Sequence, residues 1–485
     1  MQSEEQFNIG YIRLFSISSS FLEEIDGLDA LLGRLVTVKR RIIRCISNAD
    51  ENDFALVRSL VLSLREIYSL LGSESRGTLP PTVMSHVSVC FKFINARAYD
   101  TISSEICGEV VQALFELLLL SSPPDGIDTL TNAQYVVSFF AALHDLSTKL
   151  ATVDGKMIQQ LFIENAKSWS PNIYREIVDE LVHIAFPAED YDQAKYIEAL
   201  ACLITLDGSE HYEFLVKKLP LICCSLVLGL RKIASSKLFL KILNALESIL
   251  KEKPSLVSQF VFEQISLFLV LSTSRSGPSF TDDYDTDELY LRLCSVTSTI
   301  LLSFRKFLRG HHNLVIRLLQ NLLYPLCVPR AISSNGRIHK SIQYHWKRAI
   351  WLSTASACST SCALAYSRLI SNLCEPPSRS KNLSRKGTLD SHDRLSYSLS
   401  SAAGNSRRAL SKHTPYLLVE YCYAILNYKI EPATRQALTQ GIYTLFDSLG
   451  QNELKVVNAA LDVAGRAIFK SVYDDYLKFG KWHEI

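Results

Sequence analysis

Most of the features that usually announce a function are missing from this sequence. There is no long hydrophobic run. The longest, LPLICCSLVLGL from Leu219 to Leu230, lies between Lys217, Lys218 and Arg231, Lys232, and falls short of the roughly 20 apolar residues a bilayer requires. A membrane span is excluded, and the run reads as a buried helix. The opening MQSEEQFNIG carries Glu4 and Glu5 where a secretory signal needs a basic region followed by an apolar core, so no secretion is expected.

Signatures of catalysis are absent too. Neither the phosphate-cradling P-loop nor the dinucleotide fingerprint occurs, and VDGKMI around Gly155 and Lys156 lacks the earlier glycine that would bend a loop around phosphate. No HExxH zinc-protease pair, G-x-S-x-G nucleophile elbow or kinase signature set is found. We therefore expect no enzyme, no cofactor and no small-molecule substrate.

Strand patterns are scarce as well. Val- and Ile-containing runs keep a three-and-four spacing, and few Asn-Gly or Asp-Gly pairs join alternating segments, which excludes a parallel-sheet enzyme fold. What the sequence does contain is helical periodicity: Leu28, Leu31, Leu32, Leu35 and Val38 in one segment, Phe54, Val57, Val61, Leu64 and Tyr68 in the next. The stops are short, such as SESRGTLPP around Pro80 and KEKPSL around Pro254. The 485 residues, 48% hydrophobic and 21% charged, suit several domains or one extended array. The expected fold is all-α, an irregular α-solenoid of HEAT or armadillo type, with residues 1–271 as an N-terminal helical-repeat region.

Two segments interrupt the periodicity. STSRSGPSFTDDYDTDE, residues 272–288, reads as an acidic linker ahead of a C-terminal domain at 289–485. Asp283, Asp285 and Asp287 echo a calcium loop, but Glu288 and Cys294 stand where that loop needs glycine and a bidentate glutamate. The second segment, PPSRSKNLSRKGTLDSHDRLSYSLSSAAGNSRRALSK, makes residues 376–413 a disordered, Ser/Arg/Lys-rich insertion.

Charge of one sign is missing only on average. The formal net charge is +2, yet residues 331–413 hold 13 Lys and Arg against 3 Asp and Glu, leaving +10 there and −8 elsewhere. Arg337, Lys340, Lys347 and Arg348 alternate with Tyr344 and Trp346 just ahead of, and into, a helix expected at 341–357. Such a cluster suits RNA, because cations neutralise phosphate and aromatic faces stack on unpaired bases. It equally suits a solvated helix with two core aromatics. Arg379, Lys381, Arg385, Lys386, Arg407 and Arg408 of the insertion extend the candidate RNA-binding set. A nuclear import signal or a phosphorylated linker would use the same residues.

Twelve cysteines, mostly within apolar periodic segments, read as reduced core thiols. Cys358 and Cys362 would share a helix face, but no histidine or second cysteine pair near them in sequence completes a metal tetrahedron, so no metal is assigned. His311 and His312, like His339 and His345, lack the i, i+4 spacing of a helical metal site and read as solvated or capping residues.

The last stretch, LDVAGRAIFKSVYDDYLKFGKWHEI, is crowded with aromatics. Phe469, Val472, Tyr473 and Tyr476 fall on one helical stripe, with Gly480 placed to end the helix. We expect the stripe to dock on the chain itself, in a hairpin whose first helix begins near Asn452 and whose break is Gly465. Phe479 and Trp482 are left for a partner contact.

AYSRLISNLCEPP (Ala365–Pro377), LSKHTPYLLVEYC (Leu410–Cys422), GIYTLFD (Gly441–Asp447) and the tail LDVAGRAIFKSVYDDYLKFGKW occur in that order. Together they resemble the C-terminal domain of the nucleolar 27S pre-rRNA processing factors of the Urb/Npa family, over roughly residues 290–485. The resemblance implies a non-catalytic scaffold in the nucleolus, acting in early assembly of the large (60S) subunit. It further implies partnership with a large Urb/Npa-type scaffold and an RNA helicase, and contact with precursor rRNA. A helical-repeat adaptor for nuclear transport or trafficking is the competing reading. Family members are usually longer chains, so this one is expected to represent their C-terminal part.

Overall fold

The computed structural model describes scattered residues between 133 and 169 and, apart from short gaps, residues 170–329, 348–374 and 410–480. Two compact units divide the chain, Met1–His183 and Ile184–Ile485. In the first, the described residues include a small aromatic core. Phe140 and Phe162 pack with ring centroids 4.5 Å apart, and Trp169 meets Phe162 edge-on at 5.5 Å. Helix α1 (Pro171–Ala185) adds the buried Tyr174, Ile177, Val178 and Leu181, an i, i+3, i+4, i+7 set.

The second unit is a succession of helices: α2 (Ala194–Thr205), α3 (Tyr212–Gly229), α4 (Ser236–Glu252), α5 (Gln259–Ser272), α6 (Thr286–Ser303) and α7 (His312–Leu323). After these come α8 (Thr360–Cys374), α9 (Pro415–Asn427), α10 (Pro432–Ser448), α11 (Gln451–Ala460) and α12 (Val463–Phe479). Their starts follow capping chemistry. Ser235, Ser258, Asp285 and Asp462 each accept a backbone N–H from the first turn of α4, α5, α6 and α12, satisfying donors that have no partner within the helix. Pro415 and Pro432 stand at the first position of α9 and α10, where proline loses no hydrogen bond.

From α2 to α11 each helix packs mainly on its second neighbour. In one row α2 meets α4, α4 meets α6, α6 meets α8 and α8 meets α10; in the other α3 meets α5, α5 meets α7, α7 meets α9 and α9 meets α11. Helix α12 closes the succession by packing on α9 and α10. A helix with neighbours on both flanks needs a broad apolar stripe, and α4 supplies one: Leu238, Phe239, Ile242, Leu243, Leu246, Ile249 and Leu250 are all buried. Tyrosines join the rows. Tyr290 of α6 donates its hydroxyl to the Leu322 carbonyl at 2.8 Å, and Tyr366 of α8 donates to Leu319 at 2.9 Å, both acceptors lying on α7.

Among the described residues the strands are limited to β1 (Val328–Pro329) and β2 (Tyr428–Lys429), paired antiparallel. They bind the segment after α7 to the segment after α9, and Tyr428 of β2 packs on Tyr324 at 5.2 Å.

Several expectations change. The Leu219–Leu230 run lies mostly in α3, but helical geometry turns only one side inward. Leu219, Ile222, Cys223 and Leu226 are buried, whereas Leu221 and Leu228 are 59% and 82% exposed. No helix among the described residues is long and apolar enough to cross a membrane. The boundary placed at 272–288 falls inside the second unit, because α4 and α6 on its two sides pack together. This segment is also fastened down. Thr281 donates its N–H to the Ala234 carbonyl at 2.9 Å, and Asp282 accepts the Ser236 N–H and the Ser235 and Ser236 hydroxyls at 2.9–3.1 Å. The helix expected at 341–357 is not formed at 348–352, which is turn and bend; α8 begins at Thr360. The periodic segments at 28–38 and 54–68, and residues 376–409 of the insertion, lie outside the described residues; its end, 410–413, is not disordered but forms helix and turn with Leu410 buried.

Candidate functional site

Of the residues proposed for RNA contact, Arg337, Lys340, Lys347, Arg379, Lys381, Arg385, Lys386, Arg407 and Arg408 lie outside the described residues. The tenth, Arg348, is only 6% exposed, so its charge is not offered to a surface ligand. Its Nη2 reaches the Ser356 carbonyl at 3.5 Å, while Nε and Nη1 have no hydrogen-bond partner. Burial holds its pKa below the usual guanidinium value, against the opposing influence of Tyr428, Cys327 and Cys358 nearby. The aromatic neighbour that orders this turn is Trp351, which donates its indole N–H to the Ser272 carbonyl at 2.9 Å and accepts the Tyr284 hydroxyl on its own carbonyl at 2.6 Å.

Beside Arg348 the fold brings Asp287 to the two cysteines that the sequence already pairs. Cys358 precedes α8 and Cys362 lies in its first turn, four residues on, while Asp287 comes from the first turn of α6. One carboxylate oxygen and the two sulfurs lie within 4.8 Å of one another. The Ser359 N–H donates to both Asp287 oxygens, at 3.1 and 3.3 Å. The hydrogen bond between the two thiols pushes Cys358 up and Cys362 down from the ordinary thiol range. A contact between residues 287 and 358 leaves no local pattern in the sequence, where Asp287 is only one acid of the 272–288 segment.

Other ionisable groups serve as ties between helices. Glu247 of α4 accepts from Lys251 at 2.5 Å, Ser295 at 2.6 Å and Arg292 at 3.0 Å. Burial alone would raise its carboxyl, but these hydrogen bonds more than offset that and hold it below the ordinary range. His312 is buried, contrary to the solvated reading, with its ring stacked on His413 at 5.4 Å; His311 pairs instead with Glu263 at 3.2 Å. A small cavity of about 20 Å³ between α2, α3 and α4 is lined by Ile197, Leu219, Leu226, Leu246 and other apolar side chains together with the Cys223 thiol, without the convergent polar groups of a ligand site.

The terminal aromatics gather around Phe446 of α10. Tyr476, Tyr473 and Phe469 lie 5.0, 5.4 and 6.1 Å from it, and the Tyr476 hydroxyl donates to Asp447 at 2.5 Å. Phe469 and Tyr476 are buried and Tyr473 half-buried, whereas Phe479 is 61% exposed. Trp482 lies outside the described residues. The helix break differs from the one expected. Helix α11 starts after Gly450, and the chain turns at Leu461 and Asp462. Gly465 lies within the first turn of α12, where its N–H meets the Asp462 cap at 2.7 Å.

The remaining blocks of the resemblance have equally concrete roles. Ser367 on α8 accepts the Gly441 N–H of α10 on its Oγ at 2.8 Å, so these two helices approach backbone to side chain. Glu420 on α9 is buried, and desolvation, only partly offset by Arg317, pushes its carboxyl up to about 7.

Over 200 residues, 41% of this chain and 14% of the relative, the sequence is 19% identical to a probable nucleolar pre-ribosomal-associated protein 2 of Schizosaccharomyces pombe. This chain thus matches only a small part of that protein's length. An engineered protein of known crystal structure is similar at 13% identity over 90% of this chain and 98% of the other, with a TM-score of 0.25, too low to bear on the fold. The model of the Urb2/Npa2 family matches residues 240–485, slightly more than half the chain, from within α4 through α12. Its span takes in the Ser367–Gly441 approach, the α9 carboxyl and the aromatic closure on Phe446, and the chain belongs to the Urb2/Npa2 family.

Proposed function

We propose that this protein is a non-catalytic nucleolar scaffold in ribosome biogenesis, acting in early assembly of the large subunit and in pre-rRNA processing. The observation that carries this reading is the family match over residues 240–485, which coincides with the succession of helices packed on their second neighbours. Stacked helix pairs produce such rows, and an irregular α-solenoid built this way offers long faces for partner proteins. The name of the Schizosaccharomyces pombe relative, nucleolar and pre-ribosomal-associated, supports the compartment and the particle. The partners are pre-ribosomal assembly factors, a large scaffold of the same family and an RNA helicase that supplies the energy. Precursor rRNA is held through the basic residues of 331–347 and 376–409. The exposed Phe479, with Trp482 beyond it, is the partner contact at the end of the tail.

The test is sequencing of RNA cross-linked in cells to the tagged protein, beside a form with Arg379, Lys381, Arg385, Lys386, Arg407 and Arg408 neutralised. The expected result is enrichment of large-subunit precursor that falls on neutralisation. Enrichment unaffected by neutralisation moves the RNA contact elsewhere on the chain. Absence of ribosomal precursor overturns the assignment in favour of a transport or trafficking adaptor, which would use the same helical faces.

A further inference from the structure

We propose that Asp287, Cys358 and Cys362 form a binding site for one thiophilic divalent cation, Zn²⁺ by its donor set, that fastens the start of α8 to the start of α6. The three donor atoms lie within 4.8 Å of one another before any ion is added. Around a tetrahedral zinc with Zn–S bonds of about 2.3 Å and a Zn–O bond of about 2.0 Å the sulfurs would stand about 3.8 Å apart and each about 3.5 Å from the oxygen, so closing on the ion needs a contraction of about 1.3 Å or less. Two sulfurs with one carboxylate disfavour Ca²⁺ and Mg²⁺, which take oxygen donors, and favour Zn²⁺. Both cysteines are buried, at 6% and 0% exposure. Asp287 is half-buried and Ser359 exposed, so water can take the fourth position from that side.

Arg348 provides a second, independent observation. Arg348 is only 6% exposed, its Nε and Nη1 are buried without any hydrogen-bond partner, and Cys358 and Cys327 lie near enough to bear on its charge. Among the described residues no carboxylate pairs with it, and a buried cation without a counter-charge is costly. Two thiolates and a carboxylate around a divalent ion carry one net negative charge, which Arg348 offsets. The surroundings also suit ligation. The Ser359 N–H orients the Asp287 carboxylate, and the Ser359 hydroxyl lies 3.7 Å from the Cys362 sulfur, the kind of outer contact that fixes ligands around a metal. The first turn of α8 adds the positive end of its dipole. On binding, each thiol gives its proton to solvent and forms a bond from sulfur to zinc, while the carboxylate binds without proton loss; affinity therefore falls as pH falls.

The experiment uses the full chain, purified with a reductant, stripped with a chelator and dialysed against Zn²⁺ alone, with metal per chain read by mass spectrometry. The expected result is one retained zinc per chain, lost in Cys358→Ser/Cys362→Ser and kept in Cys224→Ser, a thiol on α3 outside the site. Replacement by Co²⁺ should give thiolate-to-cobalt charge-transfer absorption, and chelation should lower the thermal midpoint of the wild type but not of the double variant. Should the double variant fail to fold, Asp287→Asn keeps both thiols and should weaken zinc retention by about tenfold or more. Substoichiometric zinc in the reduced wild type, a cobalt spectrum without thiolate absorption, or zinc undiminished in the folded variants would overturn the proposal.

Discussion

Replacing Gly441 by alanine tests the contact on which the α8–α10 pair is built. In an open helix the change should stabilise by about 1 kcal/mol, because alanine has the higher helix propensity. At Gly441 a new Cβ would stand 2.9 Å from the Ser367 Oγ and 3.0 Å from the Ser367 Cα and carbonyl oxygen. Backbone atoms cannot rotate away, so α8 and α10 must separate, at an overpacking cost of about 1–3 kcal/mol. The 2.8 Å hydrogen bond from Gly441 to Ser367 is stretched in the process, which removes about 1 kcal/mol more. Subtracting the propensity gain leaves a net destabilisation of about 1–3 kcal/mol, readable as a lower urea midpoint by far-ultraviolet circular dichroism. Gly229 at the end of α3 is the control, since nothing lies within 4 Å of its added Cβ; Gly229→Ala should be neutral or slightly stabilising. Ser367→Ala in the Gly441→Ala background should rescue only part of the loss, because the Cα and carbonyl contacts remain. Gly441→Ala as stable as the wild type, or the two glycines behaving alike, would refute the close approach.

Phe446→Ala removes the centre of the terminal aromatic cluster and should cost about 3–5 kcal/mol. Hydrogen exchange should show α12 losing protection first, and unchanged α12 protection would mean that the helix is held elsewhere. Glu420→Gln should abolish a pH dependence. A carboxyl raised from its unfolded value of 4.5 to about 7 in the fold contributes stability that is full below the unfolded pKa and disappears as pH rises through 7. The variant should gain on the wild type at pH 8, by up to about 3 kcal/mol at 1.36 kcal/mol per pH unit, and little at pH 4; equal gains at both would refute the buried carboxyl. Glu247 has the opposite sign. Its pKa is depressed, so its contribution is present above 4.5 and is lost as pH falls through the lower folded value. Glu247→Ala should cost about 1–3 kcal/mol at pH 7 by leaving Arg292 and Ser295 without their acceptor, a difference that thermal melts at pH 7 and pH 3 would show shrinking.

The helices were legible in the sequence because their signal is local. The spacing of Leu238, Phe239, Ile242, Leu246 and Ile249 needs nothing beyond α4 itself to announce a stripe, and Phe469, Val472 and Tyr476 announce the α12 face in the same way. What fails is whatever depends on a distant partner. Arg348 reads as a surface cation because most arginines are, and only the approach of Cys327, Cys358 and Tyr428 shows it buried. The 272–288 segment has the composition of a linker, yet Asp282 caps α4 and Tyr284 bonds Trp351, contacts that no window of a single sequence reveals. Gly465 looks like a helix break by residue type, but Asp462 three residues earlier is the better N-cap, and it supplied the true start of α12. The same limit hid the Asp287–Cys358–Cys362 cluster, whose members come from the first turn of α6 and from the start of α8 and the residues just before it, with α7 between them in the chain.

The positive charge of the chain can be localised further, and this separates two kinds of basic residue experimentally. Of the 13 Lys and Arg between 331 and 413, Arg348 is buried and Arg368 and Lys412 lie in the described segments. The other ten fall in two stretches, 331–347 and 375–409, joined to the described chain on either side of the segment that contains α8. Helix α8 is gripped by α6 and α10, so both stretches are tethered to one fixed element. If they hold RNA by neutralising phosphates, each contact should add about 0.7 to the magnitude of the log affinity against log salt slope on single strands. Neutralising Arg379, Lys381, Arg385, Lys386, Arg407 and Arg408 should then flatten that slope by up to about 4 without changing the thermal midpoint. Arg348→Gln should leave the slope where it was, because a buried guanidinium releases no counterions. A slope insensitive to the six substitutions, measured by fluorescence anisotropy on a precursor-rRNA fragment, would show that the charge division serves something other than RNA.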